Sequence, residues 1–308
     1  MLTESYGYVD FSQFLSRFFP FKVQKIAINA GFTCPNRDGT KGYGGCTYCN
    51  NQTFNPGYCT PVKSVRQQLD EGRGFFSRKY PSMKYLAYFQ AYTNTYGQVS
   101  SLMQMYRDAL AVEGVVGIII GTRPDCMPQP LLDELELLAR ETFVLVEYGV
   151  ETSHDATLQL INRGHTWADT VDAVRRTASA GIMCGAHIII GLPGETESQI
   201  MATADAMASL PLSTLKIHQL QLIKGTRMAQ QVAEGTLAVP SFTPQSYVAL
   251  CGEFIKHLPL SIAIERFVSQ SPDSLLVSPR WGLKNYQFAN LLTNYLRDNC
   301  IRQGSLVR

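Results

Sequence analysis

Three cysteines lie within sixteen residues of the chain, in the segment CPNRDGTKGYGGCTYC, and they follow the spacing C-x11-C-x2-C. The ligating residues are Cys34, Cys46 and Cys49, and thiolates grouped in this way bind zinc or iron–sulfur clusters. A closed zinc site needs four ligands, which Cys59 would complete. A 4Fe-4S cluster held by three thiolates instead leaves one iron open to a small molecule. The spacing favours the open cluster and keeps zinc as the alternative.

The remaining cysteines are scattered singly through helical or strand-like stretches. The chain has eight cysteines in 308 residues, which is not the density of a disulfide-stapled domain. We expect the scattered cysteines to be small buried hydrophobes: Cys126, Cys184, Cys251 and Cys300.

Apolar strand-like runs alternate with helical patterns along the chain, which is typical of β/α units around a parallel sheet. Their continuous hydrophobicity indicates burial on both faces of the sheet. The runs cover residues 23–29, 85–90, 115–120, 143–150, 183–190, 215–222 and 261–268. Helices are predicted over residues 101–111 and 166–180, the second with Thr166 as its N-cap and Gly181 at its end.

Six or seven such units favour a complete or partial β/α barrel over a nucleotide-binding open sheet. No G-x-G-x-x-G follows the first strand, and GLPGET at residues 191–196 lacks the Gly-Lys-Ser/Thr of a phosphate loop. The cysteine loop directly follows the first strand, and barrels place their chemistry on loops at the carboxyl ends of strands. The loop therefore lies where a barrel enzyme has its active site.

The composition indicates an ordinary globular protein. The net charge of +2 and the pI near 8.1 do not demand a polyanionic partner. The N-terminus lacks a basic start followed by a long apolar core, and no window reaches the roughly 18 apolar residues of a membrane span. We expect a cytoplasmic protein with no membrane partner, organised as a single domain over residues 1–308.

Several segments together resemble the radical S-adenosylmethionine (SAM) superfamily, and within it the YhcC-like proteins of the branch that contains the elongator catalytic subunit. The resemblance covers roughly residues 20–270. The motifs are the cysteine loop, FQAYTNTY (89–96), GTRPDC (121–126), EYGVETSHDATLQLINRGHT (147–166), HIIIGLPGET (187–196) and KIHQLQLIKGT (216–226).

The resemblance implies an α/β fold built on a partial parallel (β/α)6 barrel over residues 20–270, with short N-terminal and C-terminal extensions. The C-terminal extension, residues 271–308, is expected to be helical. Cys34, Cys46 and Cys49 would bind a 4Fe-4S cluster whose open iron takes SAM. A flavodoxin- or ferredoxin-type donor would deliver the electron that splits SAM into methionine and a 5′-deoxyadenosyl radical.

The resemblance also assigns residues to the cofactor. Tyr48 would lie near the adenine, Glu151 would accept from the ribose hydroxyls, and Arg163 would bind the carboxylate. Where relatives usually have glycines that accept the methionine amino group, this chain has Gln90 and, shortly after, Thr93. Relatives also often carry a glutamate where Gly121 stands. A last cofactor-binding residue is Ile190.

Candidates for substrate contact are polar residues within otherwise apolar segments, since a buried imidazole or charge must find a partner. They are His187, Lys216 and His218, for each of which a structural hydrogen bond is the alternative. Cys126 is a further candidate because it lies in the family-like segment GTRPDC, near the expected site. In the last strand run, Glu265 and Arg266 are adjacent, so alternation predicts that they point to opposite faces.

The substrate class remains open between tRNA and a small molecule, and no DNA partner is expected. The elongator branch acts on wobble uridine and carries an acetyltransferase domain after the barrel, but acetyl transfer is not expected of this chain. Basic and aromatic residues concentrate after the cysteine loop and would suit either RNA or a solvated helix face: Lys63, Arg66, Arg73, Arg78, Lys79, Lys84, Phe75, Phe76, Tyr80 and Tyr85. Two alternative functions are a zinc-stapled RNA-binding protein without catalysis and an open-cluster hydro-lyase.

Overall fold

The structure is a computed structural model that describes residues 7–53, 55–77 and 82–307. The predicted strands are confirmed to within a few residues. The strands are β1 (Val23–Ile28), β2 (Lys84–Phe89), β3 (Val115–Thr122), β4 (Phe143–Glu151), β5 (Met183–Ile190), β6 (Thr214–Gln219), β7 (Leu222–Ile223), β8 (Ala263–Arg266) and β9 (Leu276–Ser278).

Within the described ranges, seven of these strands form one parallel sheet in the order β1-β2-β3-β4-β5-β6-β8. The sheet curls into a half-barrel, and the α/β partial-barrel prediction is confirmed. Because consecutive strands are neighbours and parallel, every connection crosses over on the outside. The carboxyl ends of the strands therefore meet at one mouth.

Helices fill the crossovers and cover the outer face of the sheet. Their buried leucines, isoleucines and aromatic residues share one core with the outward side chains of the strands, such as Ile118, Val146 and Ile188. The helices are α1 (Phe11–Leu15), α2 (Val65–Ser77), α3 (Val99–Leu110), α4 (Gln129–Glu141), α5 (Asp155–Leu160), α6 (Trp167–Ser179), α7 (Glu197–Ala208), α8 (Arg227–Ala233), α9 (Pro244–Lys256) and α10 (Asn285–Asp298).

Helix α6 shows how local sequence sets these boundaries. Thr166 is its N-cap, as predicted, and accepts from the backbone N–H of Asp169, whose carboxylate accepts in turn from Thr166. Gly181 follows the helix with a φ of 71°, a left-handed conformation that glycine adopts at little cost. The capping box and the glycine together fix the helix length.

Helix α1 closes the amino end of the half-barrel. Its Phe14 and Leu15 are buried against inward-facing strand residues such as Leu86, Ile119 and Leu145. Just before the helix, the Val9 carbonyl accepts from the backbone N–H of Ile264 at 2.8 Å, which ties the segment to β8. The lumen is therefore sealed below by an apolar layer and opens at the carboxyl ends of the strands.

Three expectations about the later part of the chain need correction. The run at 215–222 is not one strand, because the chain leaves the sheet after Gln219 and pairs Leu222–Ile223 with β9. Cys300 is exposed at the end of α10, whereas Cys126, Cys184 and Cys251 are buried as expected. Both Glu265 and Arg266 reach the lumen side, because the register between β6 and β8 shifts beside them.

Among the described residues, no helix is long and apolar enough to cross a membrane.

Candidate active site

The three cysteines of the motif line one cavity at the mouth of the half-barrel, which we call the central cavity. It is bordered by the cysteine loop and by residues from β2 to β6 and β8. Within the loop, tight turns are closed by the N–H of Arg37 on the Cys34 carbonyl and by the N–H of Cys49 on the Cys46 carbonyl. Gly45 has a φ of 74°, and a Cβ there would lie 2.8 Å from Arg37 Nε. The loop conformation thus depends on glycine.

The segment after α5 holds the cysteine loop in place. Asn162 donates from Nδ2 to the Gly45 carbonyl at 2.8 Å, and Asn36 donates to the Asn162 carbonyl at 2.5 Å. Arg163 Nη1 and Asn36 Nδ2 lie 3.6 Å and 3.8 Å from Cys46 Sγ. These donors hold the Cys46 sulfur in position at the cavity.

Cys59, the fourth ligand of the zinc alternative, does not border the central cavity. It lines a neighbouring cavity that also reaches Cys49. Its Sγ lies 3.8 Å from the side-chain oxygen of Asn55, and burial raises the pKa of its thiol to about 11. In the part of the chain that the structure describes, no three ligating side chains surround a single point as ligands of one ion. The three motif cysteines instead border a shared space.

Glu151 and Arg163 form an ion pair of 3.3 Å at this cavity, beside Tyr48. Glu151 follows an irregularity at the end of β4 and has a φ of 72°. Burial raises the pKa of its carboxyl group even though Arg163 opposes the shift. Arg163 also donates from Nη2 to the Gly149 carbonyl at 2.5 Å. The strained conformation of Glu151 aims its carboxylate at the space beside the cysteines.

Gln90 and Thr93, the residues assigned to the methionine amino group, also line the central cavity. Ile190 does not: it is 1% exposed and packs into the core outside the sheet, while its neighbour Ile189 faces the cavity. Cys126 likewise is not among the lining residues, and burial raises the pKa of its thiol to about 12. Five of the six cofactor candidates therefore border the central cavity: Tyr48, Gln90, Thr93, Glu151 and Arg163.

Arg123 and Asp125 form a second buried ion pair at the same mouth. Arg123 donates from Nε to Asp125 Oδ1 at 2.9 Å and from Nη1 to the Arg163 carbonyl at 2.8 Å. Burial alone would raise the pKa of Asp125, but Arg123 and then Lys41 lower it to about 2. This pair braces Arg163 and the loop that carries it.

Beneath the mouth, the lumen contains a charged cluster centred on Glu147 of β4. Its carboxylate accepts from Lys25 at 2.8 Å, from His187 at 2.7 Å and from Lys216 at 2.9 Å. Lys216 also lies 3.0 Å from Glu265, which in turn pairs with Lys25. The lumen cluster, as we call these residues, therefore links β1, β4, β5, β6 and β8 across the half-barrel.

The cluster settles which face of β6 is the lumen. Lys216 reaches Glu147 and donates to the hydroxyl of Tyr88 at 2.9 Å, so the face shared by Lys216 and His218 points inward. His218 borders the central cavity together with His187. Burial, followed by the charge of Lys216, lowers the pKa of His187 to about 4. Three of the four substrate-contact candidates thus lie in the lumen, and Cys126 does not.

Sequence reasoning missed Glu147 and Lys25. The signal was present, because each charge interrupts an apolar strand run, as His187 and Lys216 do. The loop residue Arg37 was missed as well. It borders the central cavity and donates from Nη2 to the Cys49 carbonyl at 3.1 Å, but nothing in the sequence distinguished it from other loop arginines.

Two of the four described cations of the basic surface after the cysteine loop form ion pairs. Lys63 pairs with Glu71, and Arg73 contacts Asp70 and Glu113. Tyr85 is buried in the core, whereas Phe75 is 65% exposed. Arg78, Lys79 and Tyr80 lie outside the described residues. Helix α2 is therefore mainly a solvated, ion-paired face.

The residues of the central cavity fit a three-thiolate 4Fe-4S cluster with SAM. Three thiols border a common space, as a multi-iron cluster requires. Arg163 Nε is buried without a hydrogen-bond partner, so this guanidinium retains a donor. A Cβ at Gly149 would lie 2.6 Å from Arg163 Nη2, so glycine allows Arg163 to lie against β4. The site thus offers both sulfur ligands and a free cationic donor.

Comparison with known families gives two matches. The Radical SAM superfamily matches residues 30–207, and the Radical_SAM C-terminal domain matches residues 212–298. The two matched regions together span most of the half-barrel and its C-terminal helices.

Comparison with individual proteins agrees with these family matches. Protein YhcC of Escherichia coli strain K12 is 34% identical over 295 residues, which is 96% of this chain and 94% of YhcC. A tRNA uridine(34) acetyltransferase of Methanocaldococcus infernus is 24% identical over 61% of this chain and 35% of that protein. The structure of Elp3 from the same archaeon superposes with a TM-score of 0.67 at 16% identity, covering 92% of this chain and 64% of Elp3.

Proposed function

Because the chain belongs to the radical SAM superfamily, whose members use a 4Fe-4S cluster and SAM, we propose that it is a radical SAM enzyme. When bound, the reduced cluster and SAM supply a 5′-deoxyadenosyl radical that abstracts hydrogen from the substrate. The observation that carries the proposal is that Cys34, Cys46 and Cys49 border one cavity while Cys59 does not. Three protein ligands leave an iron for SAM.

Different residues of the central cavity are assigned to different groups of SAM. Arg163 has a buried, unused Nε for the carboxylate, and Glu151 presents acceptors for the ribose hydroxyls. Tyr48 lies beside Glu151 and offers an aromatic face for the adenine. Gln90 and Thr93 line the cavity and supply oxygen acceptors for the amino group.

The lumen protects the reaction from water. The apolar layer around Phe14, Ile119 and Leu145 covers the lower end of the lumen. Since a carbon radical attacks nearly any C–H bond, exclusion of solvent and fixed placement of the substrate are the main tasks of the protein. An external one-electron donor of the flavodoxin or ferredoxin type supplies the electron.

We propose further that the substrate is tRNA. It is supported by the relative named tRNA uridine(34) acetyltransferase, whose similarity covers 61% of this chain. The ion-paired face of α2 adds no support, because Lys63 and Arg73 already have acidic partners. A small molecule is the competing substrate class.

The test is anaerobic reconstitution with iron and sulfide, followed by dithionite and SAM, with 5′-deoxyadenosine as the readout. We expect the wild-type protein to form 5′-deoxyadenosine and Cys49→Ala to form none. Addition of total tRNA from a strain lacking this protein should increase the yield, whereas a small-molecule extract should not. A full 4Fe-4S spectrum with bound SAM and no 5′-deoxyadenosine would contradict the proposal.

The same assay separates the two alternative functions. A zinc-stapled RNA-binding protein would be colourless and would depend on Cys59 as much as on Cys34. An open-cluster hydro-lyase would show the iron–sulfur spectrum but leave SAM intact. Each outcome differs from the proposed one in a directly measured product.

A further inference from the structure

Arg266 differs from Arg123 and Arg163, the two buried arginines of the central cavity. Arg123 is paired with Asp125, Arg163 is paired with Glu151, and Arg37 lies beside Cys49. Arg266 also lines the cavity, yet in residues 7–53, 55–77 and 82–307 no carboxylate lies within 4.0 Å of its guanidinium nitrogens. It is a cation without an acidic partner at the substrate end of the site.

The surroundings of Arg266 leave its Nε donor unused. Its Nε is buried without a hydrogen-bond partner, and its Nη2 lies 3.2 Å from His218 Nδ1. That imidazole already contacts the Ser269 hydroxyl at 2.5 Å, and its ring centroid lies 5.5 Å from that of His187. Burial, and next the charge of Arg266, lowers the pKa of His218 well below its usual value. Neutral imidazoles cannot balance the guanidinium charge.

The lumen cluster below does not balance it either. Lys25 and Lys216 are matched by Glu147 and Glu265, so these two cations and two carboxylates cancel formally. Arg266 adds one further positive charge to the lumen. A partly buried cation is costly unless an opposite charge or good hydrogen-bond acceptors meet it. An anion bound beside Arg266 would therefore be stabilised by its uncompensated positive charge.

We propose that Arg266, with His187 and His218 beside it, forms a subsite for an anionic group of the substrate, either a carboxylate or a phosphate. The inference rests on the proposed function, because it assigns the substrate to the same cavity that receives SAM. A guanidinium presents parallel N–H donors that match the oxygens of both groups. The Ser269 hydroxyl lies close enough to His218 to add a donor at the same place.

The experiment titrates two probes, sodium acetate and inorganic phosphate, into the full chain with its reconstituted cluster and saturating SAM. Ionic strength is held constant, and the readout is the carbon NMR spectrum of labelled histidine. The chain has five histidines, and His187→Asn and His218→Asn assign the two relevant signals. Saturation with acetate alone identifies a carboxylate site, whereas saturation with phosphate identifies a phosphate site.

We expect the two signals to move saturably in the wild type. Arg266→Gln should raise the apparent Kd at least about tenfold, which corresponds to the loss of a charged hydrogen bond. Arg266→Lys keeps the positive charge but loses the parallel N–H donors of the guanidinium. This variant should therefore bind the anion more weakly than wild type and more tightly than Arg266→Gln. The exposed Arg297→Gln, which pairs only with Asp298 on α10, is the matched control and should bind like wild type.

Three results would overturn the inference. The first two are no saturable shift with either probe in the wild type and unchanged binding in both Arg266 variants. The third is probe binding that is present in a parallel titration without SAM but lost at saturating SAM, which would assign Arg266 to the cofactor. Because the titration does not depend on turnover, 5′-deoxyadenosine formation without anion binding refutes this inference alone. Anion binding without 5′-deoxyadenosine formation refutes the proposed function instead.

Discussion

Glu147 and Lys216 lie 2.9 Å apart inside the half-barrel, on strands β4 and β6, which are separated by β5. Glu147 is 2% exposed and also accepts from Lys25 and His187. Burial alone would raise the pKa of Glu147, but Lys216 and Lys25 hold it well below its usual value. The pair thus ties distant strands together at a point where an unpaired charge would be costly.

Replacing Glu147 by Gln should therefore destabilise the fold. The variant keeps the side-chain shape but leaves Lys25 and Lys216 with Glu265 as their carboxylate partner, so we expect a loss of about 3 kcal/mol in unfolding free energy. Chemical denaturation at neutral pH measures the loss. The exposed pair Glu136–Arg140 on α4 provides the control, since Glu136→Gln should change stability by less than about 0.5 kcal/mol. Equal stability of both variants would contradict the role of the lumen cluster.

His187 should make stability depend on pH. Its folded-state pKa of about 4 lies below the unfolded value of 6.5, so the unfolded chain binds more protons between these values. The stability contributed by neutral His187 is complete above pH 6.5 and is lost as pH falls towards 4. We expect His187→Gln to show a smaller stability difference between about pH 5 and about pH 7 than the wild type, measured by urea denaturation. An identical difference in both proteins would refute this assignment.

Glu151→Gln should weaken SAM binding without loss of the cluster. The amide keeps the shape of the side chain but replaces one acceptor oxygen and removes the charge that meets the ribose hydroxyls. We expect the Kd for SAM to rise about tenfold in equilibrium dialysis, with iron content unchanged. Glu141→Gln, at the exposed end of α4, is the control. Wild-type affinity in Glu151→Gln would exclude the ribose role.

Cys49→Ala should lose the cluster, whereas Cys59→Ala should retain it. Cys49 borders the central cavity, while Cys59 borders only the neighbouring one, so Cys49 alone of the two belongs to the three-thiolate set. Iron and sulfide content per chain, measured after reconstitution, gives the answer. The exposed Cys300→Ala controls for general thiol loss. Equal metal loss in both test variants would favour a four-cysteine site.

The strands were predictable because burial on both faces leaves continuous apolar runs, and the glycine after α6 marks a helix end by its conformation. The sixth run was predicted too long, because side-chain contacts of Gln219 and Gln221 with Ser269 divert the chain after the strand. Such contacts join positions about fifty residues apart, so they cannot be predicted from the residues around the strand.

The cysteine motif of the site was predictable from the sequence, whereas the residues that line the lumen beneath it were less so. The three cysteines were found by spacing alone, but Ile190 was chosen where Ile189 faces the cavity, because one residue of register reverses the face. The partners of Glu147 come from three other strands, β1, β5 and β6, so they follow from the curl of the sheet. Glu265 and Arg266 share the lumen through an irregular register that alternation does not anticipate.

In the proposed site, three thiolates leave one iron of the cluster open to SAM. The electron paramagnetic resonance spectrum of the dithionite-reduced cluster, recorded before and after SAM is added, tests this arrangement. We predict that SAM changes the spectrum in the wild type and equally in Cys59→Ala. A spectrum that stays unchanged while equilibrium dialysis shows SAM fully bound would contradict the claim.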